Sequence, residues 1–170
     1  MRYQLTTPSP LGNLTLLGDD QALYGLWFAD QQHFGADYDL SAIPTGSTAP
    51  LNLALDWLSA YFDGQAPAPF DLPLQPEVTD FRARVLQVLT QIPYGQTVTY
   101  QQIANQLGQP NAVRAVGGAV GHNPLSIMIP CHRVVGRAGD LTGYAGGLDR
   151  KIALLTLEGH DPATLAQHHL

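Results

Sequence analysis

The sequence predicts an α/β domain over residues 1–76 followed by a mainly helical domain over residues 77–170. Three observations carry this. The first thirty residues hold three short apolar runs separated by turn residues, the second half carries apolar residues at helical spacing, and Pro67, Pro69, Pro73 and Pro76 punctuate the stretch between them. With 170 residues, 45% hydrophobic and 13% charged, the chain has the apolar content of a folded core and too little charge for disorder.

The elements follow in order. Residues 3–6, 14–17 and 22–28 read as strands around the turns at 8–13 and 18–20, a small antiparallel meander. Residues 30–49 are rich in polar residues, Gly, Ser and Pro, hence a loop. Leu51, Leu55, Leu58 and Phe62 share one helical face, and Gly64 ends that helix. The proline-punctuated segment reads as an extended linker. Thr79 or Asp80 can cap a helix carrying Phe81, Val85, Leu89 and Ile92, ended by Pro93. Residues 99–107 form the next helix, stopped by Gly108 and Pro110, and Asn111 can cap another over 112–120. Two short helices joined by a tight turn are the outline of a helix-turn-helix, or of a plain helical hairpin. The second of them is almost all small residues, with Arg114 its one long side chain. Its two glycines, Gly117 and Gly118, cost about 2 kcal/mol of helix propensity, which is reasonable where a backbone approaches something closely, whether a partner or a neighbouring helix. An apolar run, 125–129, reads as a strand leading to Pro130 and Cys131. Residues 143–147 form a Gly-rich loop, and 148–157 an amphipathic helix that ends at Glu158-Gly159.

Charge is unevenly shared. Residues 1–80 carry one base against ten acids, net −9, while residues 81–151 carry seven bases against two acids, net +5. A net charge of −6 argues against a general nucleic-acid binder, but a basic second half can form a working surface for a polyanion, since local field matters more than the total. No apolar run approaches the roughly 18 residues of a membrane helix, so no membrane association is expected. No apolar signal core follows Met1. Cys131 is the single cysteine, which excludes an internal disulfide and a multi-cysteine zinc site and fits a reducing cytoplasm.

A lone cysteine is commonly an inert small hydrophobe. Cys131 instead sits beside His132 and two residues from Arg133. An unperturbed thiol, with a pKa of roughly 8.5, is only about 3% ionised at neutral pH, and cationic neighbours lower that pKa. Glu158 lies at the wrong end of its helix dipole. It is either solvated or compensated by a cation, and His132 would complete a Cys–His–Glu relay. His122, His160, His168 and His169 lack such a context and are not read as metal ligands.

Pro130-Cys131-His132-Arg133-Val134, with Asn123-Pro124 before it and Gly143-Tyr144-Ala145-Gly146-Gly147 and Glu158-Gly159 after it, closely resembles the O6-alkylguanine-DNA alkyltransferases. The match runs from about Phe81 to Gly159 and includes Ile92-Pro93-Tyr94-Gly95, Tyr100 and Arg114-Ala115-Val116-Gly117. The resemblance implies a ribonuclease H-like N-terminal domain and a winged-helix-like C-terminal domain of the short, free-standing bacterial type. It implies DNA repair by irreversible, single-turnover transfer of an alkyl group from O6-alkylguanine, and from O4-alkylthymine, to Cys131. His132, through a water, and Glu158 would activate the thiol, and Asn123 would brace the turn. Tyr100 would contact the extruded base and help protonate it. Pro130, Val134, Tyr144, Ala145 and Gly146 would line the base pocket, with the carbonyls of Cys131 and Val134 reading the amino group. Tyr100, Gln101, Ala115 and Gly117 would meet DNA through the minor groove, and Arg114 would fill the gap left in the duplex. No cofactor is implied, and a cytoplasmic monomer is expected.

This sequence differs from some relatives in Leu86, where Trp is frequent, in Ala145, where Ser occurs, and in lacking cysteine ligands for structural zinc. Non-catalytic relatives replace the cysteine by Trp, and this chain keeps it. Two other classes remain at this stage: a cysteine hydrolase using Cys131 and His132, and a helix-turn-helix module that binds DNA without chemistry.

Overall fold

The computed structural model describes residues 1–167, so His168 and His169 lie outside the described residues. The chain divides into two compact units, Met1–Glu77 with Pro124–Ser126, and Val78–Asn123 with Ile127–Leu170.

In the first unit, β1 (Tyr3–Thr7), β2 (Leu14–Gly18) and β3 (Leu23–Phe28) form an antiparallel sheet in the order β1-β2-β3. Leu5 sits opposite Leu16, and Leu16 opposite Leu26. Helix α1 (Ala49–Phe62) starts at Thr48, whose hydroxyl accepts from the Leu51 N–H, the usual way to satisfy a first-turn donor. Leu51, Leu58 and Tyr61 are buried with Leu14, Leu16 and Phe28. Trp57 stacks on Tyr61, 5.4 Å between centroids, and its indole N–H donates to the Ala68 carbonyl at 3.0 Å. The proline-punctuated segment is more than a tether: Leu23 donates to the Pro73 carbonyl and Gln75 to the Leu23 carbonyl, each at 2.8 Å. Farther along the same strand, Leu26 donates to the Pro124 carbonyl at 2.8 Å and accepts from Ser126 at 3.0 Å. Residues 124–126 thus complete this sheet.

The second unit opens with α2 (Asp80–Thr90), capped by Thr79. Then come β4 (Val98–Thr99), α3 (Tyr100–Gln106) and α4 (Val113–Gly121). Thr99 and Gln102 form a reciprocal capping box that fixes the start of α3. Strand β5 (Val134–Val135) pairs with β4 in parallel, Val98 opposite Val134. Helices α5 (Leu148–Leu157) and α6 (Pro162–Gln167) follow. Leu165 of α6 packs with Val135, Leu141 and Leu155.

Three local expectations are corrected. Asn111 does not cap α4. Ala112 donates to the Gln109 carbonyl in a tight turn, so the helix begins one residue later with Ala112 as an N-cap that has no side-chain hydrogen bond. Residues 125–129 are not a strand. Only Leu125 makes a bridge, to Leu26, and Ile127 then takes φ 71°. The Asn123 side chain closes the segment by donating to the Ile129 carbonyl at 2.8 Å. Leu125, Ile127, Met128 and Ile129 are all buried, and an apolar run cannot tell a buried turn from a strand by periodicity. Helix α6 was not expected.

Candidate active site

Cys131 begins a single 3-10 turn, Cys131–Arg133, between Pro130 and β5. Pairing with β4 at Val134 holds this turn near the start of α3 and therefore near Tyr100. The thiol residue is 4% exposed. Around it lie the Asn123 side chain, the Tyr144 hydroxyl and the Lys151 ammonium, each of which favours the thiolate, while burial is the larger influence and pushes the thiol upward overall. The expectation that adjacent cations depress this thiol is therefore corrected. Arg133 is directed elsewhere, and the cation that faces the thiol comes from α5.

Glu158, at the C-cap of α5, is buried. Its Oε2 lies 2.6 Å from His132 Nε2, and it accepts from Arg133 Nε at 2.7 Å, Arg133 Nη2 at 3.0 Å and the Gly95 N–H at 3.3 Å. Burial acts to raise this carboxyl, and the hydrogen bonds and charges of His132 and Arg133 outweigh it, holding it well below the usual carboxylate range. Burial also lowers His132, against the pull of Glu158. We therefore read His132 as neutral, with Nε2–H donating to an ionised Glu158, and Arg133 as the compensating cation. The second Arg133 amino group donates to the Ile92 carbonyl at 2.7 Å, and Tyr94, whose hydroxyl donates to the Leu157 carbonyl, lies 5.7 Å below the guanidinium.

Thr142 donates to the Tyr100 hydroxyl at 3.2 Å, which leaves the Tyr100 proton able to donate in turn. Burial raises the Tyr100 phenol and so keeps it protonated. Pro130 and Val134 are buried beside Cys131, and Tyr144, Ala145 and Gly146 form the turn before α5, closed by the Gly147 N–H on the Tyr144 carbonyl at 2.9 Å. Arg114 and Ala115 are exposed on α4. A Cβ built on Gly117 or Gly118 would meet nothing within 4 Å, so these glycines do not serve close packing inside the protein. They leave a strip of α4 backbone open. The Gln101 side chain ties α3 to the following turn through Asn105 and the Pro110 carbonyl, both at 2.9 Å.

Lys151 belongs to the site although it lies in no motif of the sequence. It is fully buried, donates to the Val134 carbonyl at 2.7 Å and to the Thr142 carbonyl at 3.3 Å, and burial lowers it to about 8 while Cys131 raises it. A signal existed: the chain's one lysine falls on the apolar stripe of α5, three residues after Leu148 and four before Leu155.

Residues 1–76 match the family described as 6-O-methylguanine DNA methyltransferase, ribonuclease-like domain, and residues 80–160 match its DNA binding domain. The chain belongs to the 6-O-methylguanine DNA methyltransferase family. A relative named methylated-DNA–protein-cysteine methyltransferase, from Mycolicibacterium paratuberculosis, is 46% identical over 161 residues, 94% of each chain. Another of that name, from Methanosarcina barkeri, is 45% identical over 150 residues, 88% of this chain and 92% of its own. Among solved structures, Mycobacterium tuberculosis OGT in complex with DNA superposes with a TM-score of 0.83 at 44% identity, covering 92% of each chain. The expected class of architecture, a ribonuclease-like sheet and helix followed by a mainly helical DNA-binding domain, is that of this methyltransferase family. No helix among the described residues is long and apolar enough to cross a membrane.

Proposed function

We propose that this protein repairs DNA by moving the alkyl group of O6-alkylguanine to its own Cys131, once per molecule. The observation that supports it most is the buried thiol beside a neutral histidine whose far nitrogen is fixed on an ionised Glu158. With Nε2 given to Glu158, the proton leaving the thiol goes toward Nδ1 of His132, through a water as in the family mechanism. The sulfur attacks the alkyl carbon, a C–S bond forms, the C–O bond breaks, and its electron pair stays on the purine. The Tyr100 hydroxyl donates a proton to the departing base, which is general acid work. The product is a thioether, and no second thiol exists in the chain to resolve it. The carbonyl of Val134 retains a lone pair beyond the one used by Lys151 and can still read the base's amino group. O4-alkylthymine presents the same alkyl–oxygen bond and belongs to the same reading. Incubated with methylated duplex, the protein should gain one methyl and stop; continued turnover on excess duplex would contradict the proposal.

DNA recognition is assigned to the 77–170 domain, with α4 in the minor groove. The target must leave the base stack, and small residues bring the α4 backbone close while Arg114 extends from it. Arg114→Ala should slow transfer from duplex about 30-fold, the worth of some 2 kcal/mol of unstacking, slow transfer from the free modified base far less, and be partly rescued by a mismatch opposite the target. Equal loss on both substrates would mean that Arg114 acts on the pocket. The hydrolase reading loses support because the thiol is enclosed and the histidine anchored, and a single cysteine fits a reducing cytoplasm.

Lys151 supplies positive charge at the thiol. Lys151→Met should move the rise of transfer rate with pH upward and slow transfer at neutral pH about tenfold, the equivalent of one pKa unit. A pH–rate profile that keeps its wild-type position would remove the ammonium from this role.

A further inference from the structure

A second cation is poised beside Tyr100. Thr99, Tyr100 and Gln101 at the start of α3, Val113 at the start of α4, and Arg137 and Ala138 from the turn after β5 line an open cavity of about 440 Å³. Arg137 is the one charged side chain of the six, and it is exposed. Among the described residues its guanidinium has no ion pair or hydrogen bond, whereas Arg133 is committed to Glu158, Arg2 to Glu77 and Arg150 to the Gly146 carbonyl. No carboxylate lines the cavity.

The turn that presents Arg137 is a built one. Gly136 donates to the Asp140 carbonyl at 2.7 Å and closes its base. Ala138 is held at φ 59°, ψ 23°, a left-handed conformation that a residue with a Cβ adopts only when its surroundings require it. A Cβ on Gly136 would come within 2.9 Å of the Thr142 side chain, and Thr142 is the residue that donates to Tyr100. The turn carrying Arg137 is thus packed directly on the residue that orients the Tyr100 hydroxyl. Val113, at the start of α4, also lines the cavity, and Ala112 before it makes no side-chain cap hydrogen bond.

We propose that Arg137 grips a DNA phosphate next to the extruded nucleotide and so positions the base between Tyr100 and Cys131. This rests on the function proposed above. A cavity with a lone guanidinium, hydroxyl and amide groups and no acid suits a phosphodiester, which a guanidinium can bind through two parallel N–H donors. Arg137 is a positioning residue: it holds the strand and takes no part in the bond changes at sulfur.

The test uses duplexes in which the phosphate on one side or the other of the methylated guanine is replaced by an uncharged methylphosphonate. For the wild-type protein one of these replacements should slow transfer about tenfold, the size expected for a charge-assisted hydrogen bond. In Arg137→Ala the native duplex should react about tenfold more slowly, and that same methylphosphonate should bring little further loss. The salt dependence of binding should become shallower by about one unit. Arg137→Lys should recover the salt dependence and only part of the rate, because an ammonium supplies charge without the paired donors. An unchanged unfolding midpoint for Arg137→Ala establishes that it is folded. If the wild type takes up no methyl from native duplex, the proposed function itself fails. If it does, and the methylphosphonate penalty is the same with and without Arg137, this inference is overturned.

Discussion

Replacing Cys131 by alanine should leave a protein that binds methylated duplex and takes up no methyl group. The change removes one buried sulfur atom, with a stability loss of about 1 kcal/mol expected from its small volume. The surface proposed for DNA, α4 with Arg114 and Ala115, does not include it. Affinity should therefore stay within about a factor of two, well inside the 1.4 kcal/mol of a tenfold change, while transfer falls to nothing. The wild type should give the complementary result by intact mass, a plateau at one methyl per chain however much duplex is supplied. Peptide mapping locates the group, and a methyl found on any other residue, in either protein, would take Cys131 out of the role.

Glu158→Gln should produce the second large effect, on both rate and stability. The carboxylate gathers His132, two nitrogens of Arg133 and the Gly95 amide. A glutamine keeps one accepting oxygen and turns an amide N–H₂ toward groups that are themselves donors. Arg133 then becomes a buried cation without its anion, a loss of about 3–5 kcal/mol where such pairs have been broken. His132 loses the acceptor that fixes its tautomer, so transfer should slow by about 10²-fold or more at a temperature where the variant is still folded. Glu158→Asp, which keeps the charge, should recover much of the stability. A variant that melts like the wild type and reacts at its rate would show the cluster to be incidental to both.

The same groups fix the sign of the acid response. Glu158 is lowered in the folded protein, so its contribution is present above the ordinary carboxylate pKa and is lost as pH falls below it. His132 is also lowered, so acid favours the unfolded chain, which takes up the proton more readily, from about pH 6.5 downward. Lys151, lowered to about 8, acts at the other end: between that value and its ordinary one the unfolded chain holds more protons, and the folded protein gains as pH rises. Midpoints of unfolding across pH should therefore fall early on the acid side, and the fall should start lower in a His132 variant.

Much of this was legible in the sequence where chemistry is local. The Thr79 cap of α2, the strand–turn rhythm of the first thirty residues and the pairing of His132 with Glu158 follow from spacing and residue type. What escaped depends on distant contacts. Whether residues 125–129 extend or turn is decided by Asn123 reaching the Ile129 carbonyl, which no periodicity records. Arg133 looks like a neighbour of the thiol along the chain, yet the turn at Cys131–Arg133 directs it to a carboxylate 25 residues away. Lys151 matters because α5 packs on that turn, so a helix apparently amphipathic in sequence brings a cation inward.

The three residues that cover the outer edge of β3 at Leu26 have a consequence for synthesis. The first unit runs to Glu77, but Pro124–Ser126, which exchange hydrogen bonds with Leu26, emerge about fifty residues later. At 5–20 residues per second this is an interval of roughly 3–10 s. During it, the nascent sheet exposes an unpaired N–H and C=O on an apolar edge, a template to which another strand can add. The finished protein closes that edge with Pro124–Ser126, the stretch of chain that runs on in sequence toward Cys131.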